Sequence, residues 1–289
     1  MDQVTWVEGD VLDITSLFDV MEGVDIVIHA AAVVSYGNAD RSMLYQVNIE
    51  GTRNVVNVAL EKGIGKLVYI SSIAALGRKE NGAMVDETTP WQSSPSDTHY
   101  AITKHKAEME VWRGFAEGLT GVIVNPATIM GFGNWDDGSC AVFKSAYKEF
   151  GWYTNGVNGF VAVEDVAKAT VELMKTEVSG ERFIVCGANW SFRDLFNTMA
   201  DGFGKKRPSR NANPWVSALA WRVEKVKSWI TGVQPLITKE SAKLANTHTL
   251  FNSSKLLKYL PDFNYTPLDE AIKAACKKYR AAITTTEKK

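Results

Sequence analysis

Short runs of apolar, largely β-branched residues alternate with longer amphipathic stretches along the first half of the chain. Runs at residues 25–29, 66–70 and 121–124 have no polar face, which is typical of strands buried on both sides of a parallel sheet. A run at 4–8 also predicts a short strand. Apolar positions with helical spacing predict connecting helices at 14–21, 45–61 and 101–117. This order predicts a doubly wound parallel sheet, because parallel strands need crossover helices.

The second half of the chain is less regular. A strand is predicted at 182–185, and a polar segment with two prolines at 207–214 indicates a connector. Residues 284–289 are polar and predict a frayed tail. Further helices are predicted at 163–174, 191–204, 215–230 and 268–280.

Composition and charge narrow the class of protein. The 289 residues carry 32 Lys and Arg against 33 Asp and Glu, a net charge of −1, and 45% are hydrophobic. These values are typical of a globular protein, and they argue against a nucleic-acid binder, which needs a basic face. No run approaches the ~18 uncharged apolar residues of a membrane span, and the N-terminus shows no leader pattern. We therefore expect a cytoplasmic protein with no membrane span.

Cysteine and histidine are sparse and scattered. Cys140, Cys186 and Cys276 lie far apart in the sequence, which predicts reduced thiols rather than a disulfide framework. Four dispersed histidines predict no metal site.

The pair most suggestive of chemistry is Tyr100 and Lys104. Four residues apart on a predicted helix, the two side chains lie on one face. A nearby ammonium favours the phenolate and lowers the pKa of a tyrosine, which can then exchange a proton with a substrate hydroxyl or carbonyl. On spacing alone, an ordinary surface pair on a helix explains the two residues as well.

Polar residues near this pair provide further candidates. Ser71 and Ser72 directly follow a predicted buried strand, and strand ends of an open parallel sheet are where ligands bind. Ser72 could hydrogen-bond the same substrate oxygen as Tyr100, or it could cap a turn. His99 precedes Tyr100 and is a candidate substrate contact, although a solvent-facing histidine is the simpler interpretation.

Taken together, several motifs resemble those of the extended short-chain dehydrogenase/reductase family. The resemblance covers roughly residues 4 to 280, and the order of the motifs supports it more than any one of them. The matching segments are Gly9-Asp10-Val11, His29-Ala30-Ala31-Ala32, Asn48 to Asn54, the set Ser72, Tyr100 and Lys104, Asn125-Pro126-Ala127-Thr128 with Gly131, and Val163 to Ala167.

The resemblance implies a role for each matching residue. Ser72, Tyr100 and Lys104 would be catalytic, and the cofactor would be NAD or NADP. Ser71, His99 and Asn125 are candidate substrate contacts, and no residue is expected to bind a metal. The residues implied in cofactor binding are Asp10, Val11, Ala30, Ala31, Ala32, Asn48, Tyr100, Lys104, Pro126 and Thr128.

The resemblance also implies a domain organisation. Residues 1–131 and 159–185 would form a Rossmann-type dinucleotide-binding domain, and residues 132–158 and 186–283 a smaller C-terminal lobe that binds substrate. The expected partner is a small-molecule substrate rather than a nucleic acid, and a homodimer is compatible with these features.

One departure from the family pattern concerns the phosphates of the cofactor. The family begins with a strand, Gly-x-x-Gly-x-x-Gly and a helix that together hold the pyrophosphate, and that motif does not occur in these 289 residues. The simplest expectation is that the sequence starts late and lacks the first β-α-β unit. We then expect an exposed sheet edge and a dinucleotide affinity no tighter than roughly millimolar, about −4 kcal/mol.

The resemblance leaves three functions open. They are interconversion of a carbonyl and an alcohol, epimerisation or dehydration of a nucleotide sugar, and non-catalytic dinucleotide binding or scaffolding. Residues 122–126 lack the early arginine usual in sugar-nucleotide epimerases. They look more like the dihydroflavonol-reductase-like and 3β-hydroxysteroid-dehydrogenase-like branches, which favours the carbonyl–alcohol reaction.

Overall fold

A computed structural model describes residues 4–34, 41–79, 82–95, 97–136, 138–213, 215–217, 219, 221–223, 242 and 245–286. The chain divides into two compact units. The first comprises Met1–Leu76, Asp97–Asn125 and Thr170–Phe183; the second comprises Gly77–Ser96, Pro126–Ala169 and Ile184–Lys289. The domain boundaries expected from the sequence stay a prediction.

Strands and helices alternate along the described chain, as the sequence pattern predicts. The strands are β1 Ile26–His29, β2 Lys66–Ile70, β3 Met84–Val85, β4 Gly121–Pro126, β5 Thr128–Met130, β6 Trp152–Tyr153, β7 Val157–Ala162, β8 Glu181–Val185, β9 Ala188–Ser191, β10 Arg210–Asn211 and β11 Leu250–Phe251. The helices are α1 Ile14–Val20, α2 Arg41–Tyr45, α3 Thr52–Glu61, α4 His99–Ala116, α5 Cys140–Tyr147, α6 Val163–Lys175, α7 Phe192–Phe203, α8 Ser254–Tyr259 and α9 Leu268–Thr286.

The main sheet has the strand order β1-β2-β4-β8. Its first three strands are parallel and in register, so that Ile28 lies beside Val68 and Val68 beside Val122. Val68 and Val122 are fully buried, as expected for strands covered on both faces. The fold class and the four strands of this sheet are confirmed.

Strand β1 lies at one edge of this sheet. Among the described strands it pairs only with β2, and the side chains of Ile26 and Ile28 are 39% and 44% exposed. Apolar side chains on an open sheet edge favour association with other chains.

The strand predicted at residues 4–8 is wrong. These residues form a loop, and the side chains of Val4, Trp6 and Val7 are exposed. No described strand pairs with them, and an apolar run needs a partner strand to become a strand.

Two helical segments position the candidate site in the first unit. A turn of π-helix at Gln46–Gly51 joins α2 to α3, so the helical stretch begins earlier than the predicted residue 45. Helix α4 begins after Thr98, whose hydroxyl accepts a hydrogen bond of 3.0 Å from the Ala101 amide. The core between helices and sheet consists mainly of aliphatic side chains, including Val55, Leu67 and Val111.

The second unit has its own sheet and core. Strand β7 pairs in parallel with β5 and antiparallel with β9. The core of the second unit contains several aromatic side chains, with Phe143, Phe160 and Tyr279 among them. The Asp165 carboxylate accepts hydrogen bonds of 2.8 Å from the amide and the hydroxyl of Thr266.

The last helix and the long helix predicted before it had different outcomes. Residues 284–286, expected to be frayed, are the last turn of α9. Most of the helix predicted at 215–230 lies outside the described residues. None of the described helices is both long and apolar enough to cross a membrane.

Candidate functional site

The candidate site is built around a buried ammonium group at the end of β2. Lys104 lies in α4 and is almost fully buried. Its Nζ donates hydrogen bonds of 2.9 Å to the hydroxyl of Tyr69 and 2.9 Å to the carbonyl oxygen of Ile70. These bonds fix the cation at the carboxyl end of a central parallel strand, where ligands bind in open α/β sheets.

Burial changes the acid–base properties of this group and of its neighbour. Desolvation lowers the pKa of Lys104 to about 8, although the negative charge of Glu108 opposes that shift. Desolvation also raises the pKa of Tyr69 well above its ordinary value. Tyr69 therefore stays a neutral phenol that accepts from Lys104, and Lys104 is mostly charged at neutral pH.

Tyr100 lies in the first turn of α4, one turn before Lys104. The residue is half-buried, unlike Tyr69, and its carbonyl oxygen accepts a hydrogen bond of 2.9 Å from the hydroxyl of Thr103. The helix thus presents a partly accessible phenol and a buried ammonium from adjacent turns, as the four-residue spacing predicts. The catalytic role of the pair stays a prediction.

Ser71 and Ser72 follow β2, and the structure gives each hydroxyl a local partner. Ser71 Oγ donates a hydrogen bond of 2.7 Å to Glu108 Oε2 and is buried. Ser72 Oγ accepts a bond of 3.1 Å from the Ala74 amide and caps the short 3₁₀ turn Ile73–Ala75. The capping role that the sequence left open is therefore present, and Ser72 remains half-buried.

Asn125, at the end of β4, is fully buried behind the two serines. Its Nδ2 donates a hydrogen bond of 3.0 Å to the carbonyl oxygen of Ser72 and one of 2.8 Å to Glu108 Oε2. Its role as a substrate contact stays a prediction; the contacts present are to the protein itself.

Glu108 is a residue of this region that sequence reasoning did not select. It lies in α4 one turn after Lys104, and its side chain is fully buried. Its other oxygen, Oε1, accepts hydrogen bonds of 2.9 Å from Arg182 and 3.4 Å from the Trp112 indole. A polar residue every fourth position on a helix usually faces solvent, so the sequence pattern alone could not reveal a buried ion pair.

Asn48 holds the segment that follows β1. Its side-chain amide exchanges hydrogen bonds of 2.7 and 3.0 Å with the backbone of Val33, and it donates 3.1 Å to the Thr103 hydroxyl. Asn48 thereby ties the loop after β1 to the helix that carries Tyr100. The neighbouring residues Ala30, Ala31 and Ala32 are exposed, and the side chain of each is only a methyl group.

The polar chain behind this loop includes a buried histidine. His29 Nε2 lies 2.9 Å from the Thr52 hydroxyl, which itself donates 2.7 Å to the Asn48 carbonyl oxygen. Because the hydroxyl proton is already used, Nε2 carries the proton in the neutral imidazole. Burial and the charge of Lys104 lower the pKa of His29 to about 4.

The other expected cofactor residues lie apart from this cluster. Asp10 is exposed, and its carboxylate accepts 2.9 Å from the Leu12 amide. Val11 packs so close to Gly51 that a Cβ there would lie 2.6 Å from its Cγ2. In the second unit, Thr128 Oγ1 accepts 3.0 Å from Asn158. Their roles, and that of Pro126, stay predictions.

His99 has an aromatic partner in the first unit. Its Nδ1 lies 3.4 Å from the hydroxyl of Tyr45, and the two rings meet edge to face. The described part of the chain contains no cluster of three or more side chains suited to a metal ion.

The parallel sheet with its connecting helices, and the buried Lys104 at the end of β2, are typical of Rossmann-type α/β proteins of the extended short-chain dehydrogenase/reductase class. The model of the 3-beta hydroxysteroid dehydrogenase/isomerase family matches residues 1–210. The chain belongs to that family.

Individual proteins show the same relationship. "Sterol demethylase protein B" of Methylococcus capsulatus is 32% identical over 206 residues, which is 69% of this chain and 61% of that protein. The "Putative dihydroflavonol 4-reductase" of Synechocystis is 29% identical over 266 residues, 89% of this chain and 76% of that protein. The chain thus spans about three fifths to three quarters of the length of these relatives.

Solved structures agree on the fold. The crystal structure of gox2253 is 30% identical, with a TM-score of 0.79, and the match covers 95% of this chain and 84% of that one. DesIV, a dTDP-glucose 4,6-dehydratase of Streptomyces venezuelae crystallised with NAD and TYD, is 17% identical with a TM-score of 0.77. That match covers 97% of this chain and 81% of that one, and it shows the fold alone.

Proposed function

We propose that this protein is an NAD(P)-dependent oxidoreductase that interconverts a carbonyl and an alcohol. The observation that carries the proposal is the buried Lys104 ammonium, fixed 2.9 Å from the Ile70 carbonyl oxygen at a strand end, one helical turn from the half-buried Tyr100. A phenol beside a fixed cation is suited to giving up and regaining a proton.

The residues after β1 and β2 fit the ribose–nicotinamide half of such a cofactor. Lys104 can donate a third hydrogen bond to a ribose hydroxyl, and the uncovered backbone at Ala30–Ala32 allows close approach of a ligand. The glycine-rich phosphate motif does not occur in these 289 residues, so no residue is assigned to the pyrophosphate. When bound, a reduced nicotinamide supplies the hydride that adds to the carbonyl carbon.

The protein's own groups would manage the proton. Tyr100 donates its phenolic proton to the substrate oxygen during reduction and takes it back during oxidation. Lys104, still largely protonated at neutral pH, stabilises the phenolate that is left. Ser72, at the strand end, orients the substrate oxygen with its hydroxyl. These roles rest on the resemblance and on the placement of the three residues in the first unit.

Relatives favour this reaction over sugar-nucleotide chemistry. The family description and the name of the Synechocystis relative both refer to carbonyl–alcohol reactions, on a hydroxysteroid and a dihydroflavonol respectively. The dehydratase similarity is only 17% identical, so it bears on fold rather than substrate. The substrate proposed is therefore a ketone or aldehyde on an extended apolar skeleton.

The proposal is tested with a panel of such carbonyl compounds and of nucleotide sugars. Oxidation of NADH or NADPH is followed with the cofactor in excess over its Kd. Consumption of reduced cofactor with a ketone or aldehyde, and none with the nucleotide sugars, supports the proposal. Conversion of a nucleotide sugar without net cofactor consumption, or no reaction with any compound, contradicts it.

A further inference from the structure

Glu108 places a charge where charge is costly. Its side chain is fully buried in α4, and its carboxylate has four protein partners from three other places in the first unit and from its own helix. Taking a carboxylate out of water is unfavourable unless it is paired and hydrogen-bonded, and an apolar side chain of similar size often stabilises a core as well or better. The stability of the fold is thus a weak explanation for this residue.

One oxygen of the carboxylate holds the ends of two strands. Oε2 accepts a hydrogen bond of 2.7 Å from the hydroxyl of Ser71, which follows β2. It accepts another of 2.8 Å from the side-chain amide of Asn125 at the end of β4. The same Asn125 nitrogen donates 3.0 Å to the carbonyl oxygen of Ser72. Asn125 thus links the Glu108 carboxylate to the backbone of Ser72.

The other oxygen faces a counter-charge. Oε1 accepts 2.9 Å from Arg182 in β8, whose side chain is 17% exposed, and 3.4 Å from Trp112. The guanidinium of Arg182 thus pairs with one oxygen of the carboxylate, and the other oxygen accepts from the two strand ends. Glutamine could not replace this carboxylate. Its side-chain NH₂ group can only donate, and it would face either Arg182 or the donors Ser71 and Asn125.

We propose that Glu108 is a positioning residue: it holds the backbone of Ser72 and the strand end of β2 in register with the helix that carries Tyr100 and Lys104. This inference rests on the proposed function, because it assigns the register to the three groups that act on the substrate oxygen. Misplacing a reacting group by about 1 Å can cost on the order of 10²-fold in rate.

The electrostatics give a second consequence. Glu108 opposes the lowering of the Lys104 pKa by burial. The charged or titratable groups around the carboxylate are Lys104 and His105 on α4, Tyr69 on β2 and Arg182 on β8. Removing the negative charge therefore lowers the pKa of Lys104 further and moves the alkaline limb of the rate to lower pH.

The test compares Glu108→Gln, Glu108→Asp and the control Val111→Ala. Val111 is a fully buried residue of the same helix, and its aliphatic side chain packs in the core between helices and sheet. In Glu108→Gln we expect kcat to fall about 10- to 100-fold with KM and cofactor Kd changed less than about threefold. We expect the alkaline limb to shift to lower pH and Glu108→Asp to recover part of the rate. Val111→Ala should lower the midpoint of thermal unfolding but keep kcat.

A measurement independent of turnover accompanies the kinetics. Hydrogen–deuterium exchange of residues 71–75 should rise in Glu108→Gln relative to Val111→Ala, because the strand end loses its anchor. Should Glu108→Gln fold poorly, Ser71→Ala, which removes one hydroxyl, should raise exchange in the same segment and lower kcat.

The outcomes separate the two proposals. The positioning role alone is overturned if the parent chain turns over substrate and Glu108→Gln has the same kcat and the same hydrogen–deuterium exchange at residues 71–75. A fall in kcat no larger than that of a Val111 variant of equal stability also overturns it. Absence of turnover by the parent chain overturns the proposed function and with it this inference.

Discussion

The ammonium nitrogen of Lys104 lies 2.9 Å from the hydroxyl of Tyr69 and 4.6 Å from the centroid of the Tyr69 ring. The strand thus offers the cation a phenol that stays neutral, because burial raises the pKa of Tyr69 far above the ordinary range. Lys104 keeps its charge near neutral pH for a second, more accessible partner. In the proposed reaction that partner is Tyr100.

Replacing Lys104 by methionine should weaken both cofactor binding and turnover. The loss of a charge-assisted hydrogen bond, worth about 1.5–3 kcal/mol, should raise the Kd of NAD(P)H by about tenfold or more. Lys106→Met, an exposed lysine of the same helix, is the matched control and should change neither. Isothermal titration and steady-state rates check the pair; an unchanged Kd would leave Lys104 only an electrostatic role.

The same lysine predicts a pH dependence. Burial lowers the pKa of Lys104 to about 8, so its charge is present below that pH and lost as the pH rises through it. Cofactor affinity of the parent chain should therefore fall above pH 8, whereas Lys104→Met should show no such limb. Parallel pH profiles for the two proteins would rule out this origin.

Tyr100→Phe should abolish turnover and change cofactor binding far less, because Lys104 keeps its contact. The change removes one hydroxyl from a half-buried side chain, so the packing of the helix is retained. Loss of a general acid–base group costs about 10²–10⁴-fold in rate. Tyr147→Phe, in the aromatic core of the second unit, is the control. A Tyr100→Phe rate above about a tenth of the parent's would refute the role.

His29 should make the protein less stable in weak acid. Its pKa is lowered from 6.5 to about 4 by burial, so between these pH values the unfolded chain binds the proton more readily. Stability contributed by the neutral ring is present above pH 6.5 and is lost as the pH falls toward 4, by roughly 3 kcal/mol at most. Urea unfolding measures the free energy of unfolding of the parent and of His29→Phe. The value for the parent should fall relative to that of His29→Phe as the pH falls from 6.5 toward 4. A constant difference between the two free energies would disprove this role.

The edge of the main sheet should promote association. Ile28 on β1 is 44% exposed and lies on the outermost described strand. Ile28→Lys should reduce concentration-dependent association, because charge on a strand edge opposes pairing with another chain. Ile14→Lys, an exposed isoleucine on helix α1, is the control and should have little effect. Light scattering over a concentration series compares them, and equal association by all three proteins would exclude the edge as the cause.

The sequence predicted the main sheet because its strands carry their own signal. Residues 67–70 and 121–124 are uninterrupted apolar runs, and buried parallel strands need that composition. The run at 4–8 is also rich in apolar and β-branched residues, but it has no strand partner among the described residues. Strand formation depends on that partner, which periodicity does not report.

The second sheet and the glutamate cluster were beyond sequence reasoning for different reasons. Strand β7 contains Asn158 and Gly159, which break the apolar pattern, and β5 is only three residues long. Glu108 and Arg182 are separated by 74 residues, so nothing local marks them as an ion pair. By contrast, the spacing of Tyr100 and Lys104 is local, and the helix placed them as predicted.

The central claim is that the protein moves a hydride between a nicotinamide and a carbonyl carbon while Tyr100 supplies the proton. The most direct measurement uses NAD(P)H carrying deuterium at the transferable position, with the carbonyl panel and cofactor in excess of its Kd. We expect a product alcohol with one deuterium on the former carbonyl carbon, seen by mass spectrometry, and formation of that labelled product about 10²-fold or more slower by Tyr100→Phe. Product without deuterium at that carbon, or formation of the labelled product by Tyr100→Phe at more than about a tenth of the parent's rate, would contradict the central claim.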